Sequence, residues 1–251
     1  MSTPTWVFDQ QHTKSFTEGR IKFLDEIWSL LPVEPGATVI DVGCGLGDFS
    51  GYLSAKGLKV LGVDGRQENI QEAQTRFPVI NFQVQNAEDL AEVGQFDLSL
   101  CFGLLYHLEN PFRAIRNLYQ VTQKFSLIES LVVPSKSPIA YCMSENFDKD
   151  QGLDYVAFIS SESALIKMLY RAGFKYVYMP AHLPDHDEFQ APRTHKRRRT
   201  MLFASNVQFA NPFFTLVTEP EKERPDLWTN KQAVRVERGL KRLRRLFKSP
   251  S

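Results

Sequence analysis

The sequence predicts an α/β fold built on a doubly wound, mostly parallel sheet. Three observations carry that expectation. The run Val39, Ile40, Asp41, Val42 ends in a turn with glycines at 43, 45 and 47 and then enters a helical stretch. Four more short apolar runs follow at 59–64, 79–84, 96–101 and 125–131, separated by stretches of helical character. Strands alternating with helices make a parallel sheet covered on both faces. A chain of 251 residues suits one such domain with additions.

The first strand closes on an acid, Asp41, and the turn after it reads Asp41-x-Gly43-x-Gly45-x-Gly47, with Cys44 between the first two glycines. Glycine belongs where backbone turns tightly or approaches a ligand closely, because no Cβ intrudes. A dinucleotide fingerprint, G-x-G-x-x-G, would put its third glycine at Asp48. An acid at that helix start would repel a pyrophosphate. The second strand, 59–64, ends in Asp64, 17 residues beyond Gly47 and followed by Gly65. A ribose-binding acid stands near there in nucleotide-binding α/β folds, and capping the next helix is the other role open to it. The third strand, 79–84, leads to Asn86 and Ala87. The fourth, 96–101, runs into Phe102, Gly103, Tyr106 and His107, and a helix opens near Pro111. Phe112, Ile115, Leu118 and Tyr119 recur there at helical spacing. The fifth strand, 125–131, carries Glu129. Ser161-Glu162-Ser163 and the run 164–170 open another helix, ended by Gly173, before a sixth strand at 175–178 and a seventh at 201–205.

The flanks are read separately. Residues 1–36 form a leading segment whose Ile21, Phe23, Leu24, Ile27, Trp28 and Leu31 mark an amphipathic helix stopped by Pro32 and Pro35. That helix either packs in the core or lies over a cofactor mouth. The domain proper spans 37–207, with an irregular insertion at 132–160 and a long polar loop at 180–198. The loop holds His182, Asp185, His186, Asp187 and Glu188, in a spacing that matches no metal motif, and no metal is expected. Arg193 and the run 195–199 form a basic stretch, either solvated or facing phosphate. Residues 208–251 read as a linker and a basic helix. From Lys231 to Lys248 the charge is +7 against +1 for the whole chain, with Val236, Leu240, Leu243 and Phe247 on one helical stripe. That pattern fits a peripheral contact with an anionic membrane, or packing on a partner. No apolar run is long enough to span a bilayer, the N-terminus lacks a signal-peptide core, and Cys44, Cys101 and Cys142 follow no metal or redox spacing. A cytoplasmic place, with at most peripheral membrane contact, is expected.

The Asp41–Gly47 turn followed by Asp64 and the 86–87 turn resembles the class I S-adenosylmethionine-dependent methyltransferases, whose cofactor has no phosphate. The resemblance implies a seven-stranded Rossmann-like sheet with an antiparallel last strand. It implies that Asp41, Gly43, Cys44, Gly45, Gly47, Asp64, Gly65, Asn86, Ala87, Phe102 and Gly103 surround S-adenosyl-L-methionine, with S-adenosyl-L-homocysteine as product. The family often has an acid where Asn86 stands, and Asn86 retains a carbonyl oxygen for the adenine amino group. The second half, through Leu105-Tyr106-His107, Glu129-Ser130-Leu131 and Phe158-Ile159-Ser160-Ser161, is similar to the tRNA wobble-uridine carboxymethyltransferases. Those enzymes carry an arginine entering the last strand, which implies a substrate-side role for Arg199. Their long N-terminal region and its carboxylate-binding lysine have no counterpart here, and an arginine-containing turn is replaced by residues 153–156. Ordinary S-adenosylmethionine and a different acceptor follow.

A sulfonium methyl is already activated, so alignment supplies most of the acceleration. A hydroxyl acceptor also needs a base. His107 at the end of the fourth strand is the candidate, with helix capping as its other reading; Tyr106 borders the acceptor or packs in the core; Glu129 orients a hydroxyl or His107, or bonds backbone. Three functions stay open: methylation of a small-molecule or glycan-precursor acceptor, at oxygen; alkylation of RNA; and nucleoside binding without transfer. The intact glycines and Asp64 speak against the third, and the near-neutral total charge speaks against the second.

Overall fold

The computed structural model describes residues 6–146, 151–190 and 198–220. The tail stripe at 231–248 and residues 193–197 of the basic stretch lie outside the described residues. The first helix, α1, runs Gln11–Ile27, followed by a 3-10 turn over Trp28–Leu30. It starts ten residues before the expected apolar stripe. Its C-terminal half buries Phe23, Leu24 and Ile27 in the core, whereas the first half is largely polar and left no core periodicity to read.

The chain then alternates: β1 (Thr38–Val42), α2 (Asp48–Ala55), β2 (Lys59–Asp64), α3 (Gln67–Arg76), β3 (Asn81–Val84), β4 (Phe96–Phe102), α4 (Pro111–Val121) and β5 (Thr122–Val132). A 3-10 turn, Leu105–His107, joins β4 to α4. Asn110 caps α4 by accepting from the Arg113 N–H, and Pro111 supplies the preset first turn. After β5 come β6 (Ala140–Ser144), β7 (Val156–Ser160), α5 (Glu162–Ala172), β8 (Tyr176–Pro180), the short α6 (Asp187–Gln190), β9 (Arg198–Ser205) and β10 (Phe214–Val217).

The main sheet has the order β10-β8-β9-β5-β4-β1-β2-β3, with β3, β2, β1, β4 and β5 parallel. β9 runs antiparallel to both β5 and β8. The sheet is thus the doubly wound, mostly parallel one expected, with eight strands rather than seven. The eighth, β10, pairs antiparallel with β8 inside a stretch expected to lead into a linker. Four residues, with Leu216 exposed and Phe214 buried, give too short an alternation to signal a strand. The insertion 132–160 also departs from expectation: β6 and β7 pair as a separate two-stranded sheet. Ala140, Tyr141 and Cys142 are all exposed, so β6 has no apolar face to announce it.

Alternation along the strands divides the core. Ile40 and Val42 face α4 and α5, where Ile115, Leu118, Leu165 and Leu169 are buried. Val39, Leu98, Leu100 and Phe102 face α1 and α2 through Phe23, Leu24, Ile27 and Leu53. Each such buried aliphatic side chain contributes roughly 1.5–3 kcal/mol. The chain winds outward from β1 through β2 to β3, then crosses back to β4 beside β1. The carboxyl ends of β1 and β4 are therefore a topological switch point, where ligands bind in open α/β sheets.

Candidate active site

A pocket opens over that switch point, lined by the glycine turn after β1, the ends of β2 and β4, the 86–87 turn, the first half of α1, residues 151–153 and Arg199 of β9. In the turn, Gly43, Gly45 and Gly47 all have positive φ, at 78°, 55° and 88°. At Gly43 a Cβ would also lie 2.8 Å from the Leu104 side chain, so the residue must be glycine on two counts. The N–H groups of Gly43 and Cys44 both donate to the Val63 carbonyl and pin the turn to β2.

Asp64 closes this end. Its Oδ2 accepts from the Gly45 N–H at 3.0 Å, and its Oδ1 from the Arg66 N–H at 2.8 Å and Asn69 Nδ2 at 3.1 Å. Burial raises its pKa against the pull of those donors. Asn69 lines the same wall, and its Oδ1 is buried without a hydrogen-bond partner. Asp48 opens α2 and also faces the pocket; burial raises its pKa, and Arg76 pulls it back. Two acids beside the glycine turn suit a phosphate-free nucleoside and oppose a pyrophosphate.

Cys44, Gly65, Asn86, Ala87, Phe102, Gly103, Tyr106 and His107 all line the pocket as well. The Asn86 Oδ1 accepts from the Glu88 N–H at 2.8 Å, so the oxygen expected to meet adenine already has one partner. Three expected site residues do not reach the pocket wall. Asp41 is 2% exposed and accepts from Ser50 Oγ at 2.7 Å beneath the turn; burial pushes its pKa up to about 7. Gly47 caps α2 and abuts Phe77 and Phe82. Glu129 is fully buried one layer behind.

Glu129 holds two arginines. Arg20 of α1 donates from Nη1 to Oε2 at 3.0 Å, and Arg199 from Nη1 to Oε1 at 2.9 Å. Arg199 also donates to the Tyr106 hydroxyl at 3.2 Å and, through Nε, to Glu188 at 2.8 Å. The Phe16 ring lies against both guanidinium groups, 4.0 Å from Arg20 Cζ and 4.5 Å from Arg199 Cζ. Desolvation lowers the Arg20 pKa, with Glu129 opposing, and burial raises that of Tyr106. Removing the carboxylate would leave two buried cations facing each other. The sequence placed Glu129, Tyr106 and Arg199, but not Arg20, whose only local signal is a charge on the buried stripe of α1.

His107 meets a second unforeseen residue. Its Nδ1 hydrogen-bonds Oε1 of Glu145, just beyond β6, and Glu145 Oε2 accepts from the Gly152 N–H at 2.8 Å. Burial raises the Glu145 pKa, but the His107 contact and the Gly152 N–H together outweigh it and hold the carboxyl low. Arg66 Nη2 donates to the carbonyls of Gln151 and Gly152 at 2.9 and 3.1 Å. The loop histidines have structural partners: His182 bonds Glu26 and packs on Phe23 and Phe213, while His186 packs on Phe16. Among the described residues, no helix is long and apolar enough to cross a membrane.

Comparison with known proteins agrees with this geometry. Residues 40–127 match the family model Methyltransf_11, described as a methyltransferase domain. The chain is 31% identical over 101 residues to the tRNA U34 carboxymethyltransferase of Wolinella succinogenes, covering 39% of this chain and 35% of that protein. It is 30% identical over 131 residues to the ubiquinone biosynthesis O-methyltransferase of Pseudomonas putida, covering 50% of this chain and 54% of that one. The chain thus spans about a third to a half of the length of these curated relatives. The N-terminal domain of EvdMO1, solved with SAH bound, superposes with a TM-score of 0.65 at 18% identity, over 78% of this chain and 84% of that one, and shares the fold. The match to a methyltransferase domain thus covers residues 40–127, about a third of the chain.

Proposed function

We propose that the protein transfers a methyl group from S-adenosylmethionine to a hydroxyl of a small-molecule or glycan-precursor acceptor. The observation that supports this best is the pocket itself. One cavity has a nucleoside seat at β1, β2 and the 86–87 turn, and a polar acceptor end at Tyr106, His107 and Arg199.

The sheet order sets the direction of the cofactor. Asp64 ends β2 and takes the ribose hydroxyls; the 86–87 turn after β3 takes the adenine. On the side of β4 and β5, Arg20 would be the cation for the carboxylate of the cofactor. Its Nη1 lies 3.5 Å from where a Cβ of Gly103 would stand. The orphaned Asn69 oxygen, on a residue of the pocket wall, fits a nucleoside held there. When bound, S-adenosylmethionine supplies an electrophilic methyl that a nucleophile displaces in line. Tyr106 and Arg199 border the acceptor, and His107 accepts its hydroxyl proton through Nε2, while the largely apolar Phe16, Phe49 and Phe102 side keeps water out.

A second reading is alkylation of RNA, including carboxymethylation. It is favoured by the Wolinella relative and by a second buried cation, Arg199, beyond the one that an ordinary cofactor carboxylate needs. Incubating the protein with methyl-labelled S-adenosylmethionine and, separately, metabolite and RNA fractions decides between them. Label in the metabolite fraction is the expected result. Label in RNA, or activity only with carboxy-S-adenosylmethionine, establishes the second reading. Cofactor binding with no transfer to either fraction makes the protein a nucleoside binder.

A further inference from the structure

We propose that Glu145 is a positioning residue that fixes His107 as the base of the methyl transfer. This rests on the methyltransferase reading of the pocket.

The argument begins with the two nitrogens of an imidazole. A neutral histidine carries one proton, and the nitrogen that keeps it cannot serve as base. A carboxylate on Nδ1 holds the proton there and leaves Nε2 bare, pointing away from Glu145 on a ring that lines the pocket. When the acceptor oxygen bonds the methyl carbon and the carbon–sulfur bond breaks, the acceptor proton passes to Nε2. The imidazolium that results lies against the Glu145 carboxylate, a counter-charge already in place, and releases the proton to solvent afterwards.

Glu145 is itself held for this task. Its side chain is 6% exposed, and its second oxygen is occupied by the Gly152 N–H. Gly152 presses against the His107 carbonyl so closely that any Cβ would overlap that oxygen. Arg66 clasps Gln151 and Gly152 through their carbonyls, and its own N–H bonds Asp64. The residue beside the ribose seat thereby anchors the segment that sets the base. The other charged or titratable groups around the ring belong to different tasks: Tyr106, whose ring centroid is 4.1 Å away, bonds Arg199, and Arg199 and Arg20 are held by Glu129. Among the described residues, no other carboxylate is bonded to the His107 ring.

The test reads the proton position directly. Long-range proton–nitrogen correlation spectra of nitrogen-labelled full-length protein, with His107 assigned through a His107→Gln variant, are recorded at a pH where the ring is neutral. Spectra are taken with and without S-adenosylhomocysteine. The proton is expected on Nδ1 in the wild type. Glu145→Ala should move the tautomer ratio at least several-fold toward a proton on Nε2, while affinity for S-adenosylhomocysteine stays within about threefold. Glu145→Gln, whose oxygen can keep the Gly152 bond, turns its NH2 toward Nδ1 and should move the ratio toward a proton on Nε2 at least as far as Glu145→Ala. A wild-type ring protonated on Nε2, or a ratio that neither variant changes, overturns the proposal. The wild-type spectrum decides even if a variant fails to fold. Absence of S-adenosylhomocysteine binding would instead count against the methyltransferase reading, and the ligand-free spectra still judge Glu145.

Discussion

Asp64→Ala is the sharpest perturbation of the nucleoside seat. A carboxylate offers about four lone-pair sites, and three of Asp64's are filled internally by Gly45, Arg66 and Asn69. Two ribose hydroxyls can therefore be served only if one internal donor, such as the Gly45 N–H, yields its place. A charged hydrogen bond contributes about 1.5–3 kcal/mol, and one of the two is partly an exchange, so the net loss should be about 2–4 kcal/mol. That is a rise in Kd for S-adenosylhomocysteine of roughly 30- to 1000-fold. Asp64→Asn keeps one acceptor oxygen and loses the charge, so its loss should be about half as large in free energy. Calorimetric titration at neutral pH measures both, with melting curves to confirm the fold. Because burial raises the Asp64 pKa, wild-type affinity should begin to fall at a higher pH on acidification than for an ordinary carboxylate. A Kd for Asp64→Ala within about threefold of wild type, with an intact fold, refutes the ribose assignment.

Three further outcomes are expected. His107→Ala should lower turnover on the identified acceptor by about 10²-fold while leaving cofactor affinity almost unchanged; equal turnover would reduce His107 to a structural residue. Gly43→Ala should cost at least about 1–2 kcal/mol in thermal or denaturant unfolding and also weaken S-adenosylhomocysteine binding, because it meets both a positive φ and the Leu104 side chain. Asp41→Asn should show a pH-dependent gain. The Asp41 pKa is raised in the fold to about 7, so its contribution to stability is fully present below the ordinary carboxylate range and lost as pH rises toward 7. Asparagine stays neutral, so the variant should gain on wild type between about pH 4 and 8 by up to about 4 kcal/mol in denaturant unfolding; a difference that does not change with pH removes the charge from the account.

How far the sequence revealed the site follows from the range of each interaction. The nucleoside seat was legible because its parts are local. Glycines at 43, 45 and 47 encode a backbone path directly, and Asp64 stands at a strand end whose position the apolar runs already fix. Even there, motif membership did not mean contact. Asp41 and Gly47 belong to the pattern because the turn needs a buried acid beneath it and a helix cap beside it, and neither touches the pocket. β10 and the β6–β7 pair were missed because short or exposed strands carry little alternation.

The acceptor end is different in kind, since its bonds join residues far apart in the chain. Arg20 and Glu129 are 109 positions apart, Arg199 and Glu129 are 70 apart, and Glu145 and His107 are 38 apart. A side chain in such a pair leaves no periodic trace on its own element. In α1 the polar first half carries no apolar stripe, yet it forms one wall of the pocket through His12, Thr13 and Thr17. The same physical fact explains why fold and cofactor are better determined than the acceptor. The cofactor seat is drawn by backbone, which the glycine pattern dictates. In the proposed reading, acceptor choice falls to Arg199, Tyr106, His107 and Glu145, which converge only after β4, β5, β9 and the 145–153 segment have been brought together. A related chain could keep every glycine and Asp64 and still change acceptor by altering residues in α1 or the 145–153 segment, which lie outside the 40–127 match altogether. Residues 20, 145 and 152 are therefore where a comparison of substrate preference among such chains should begin.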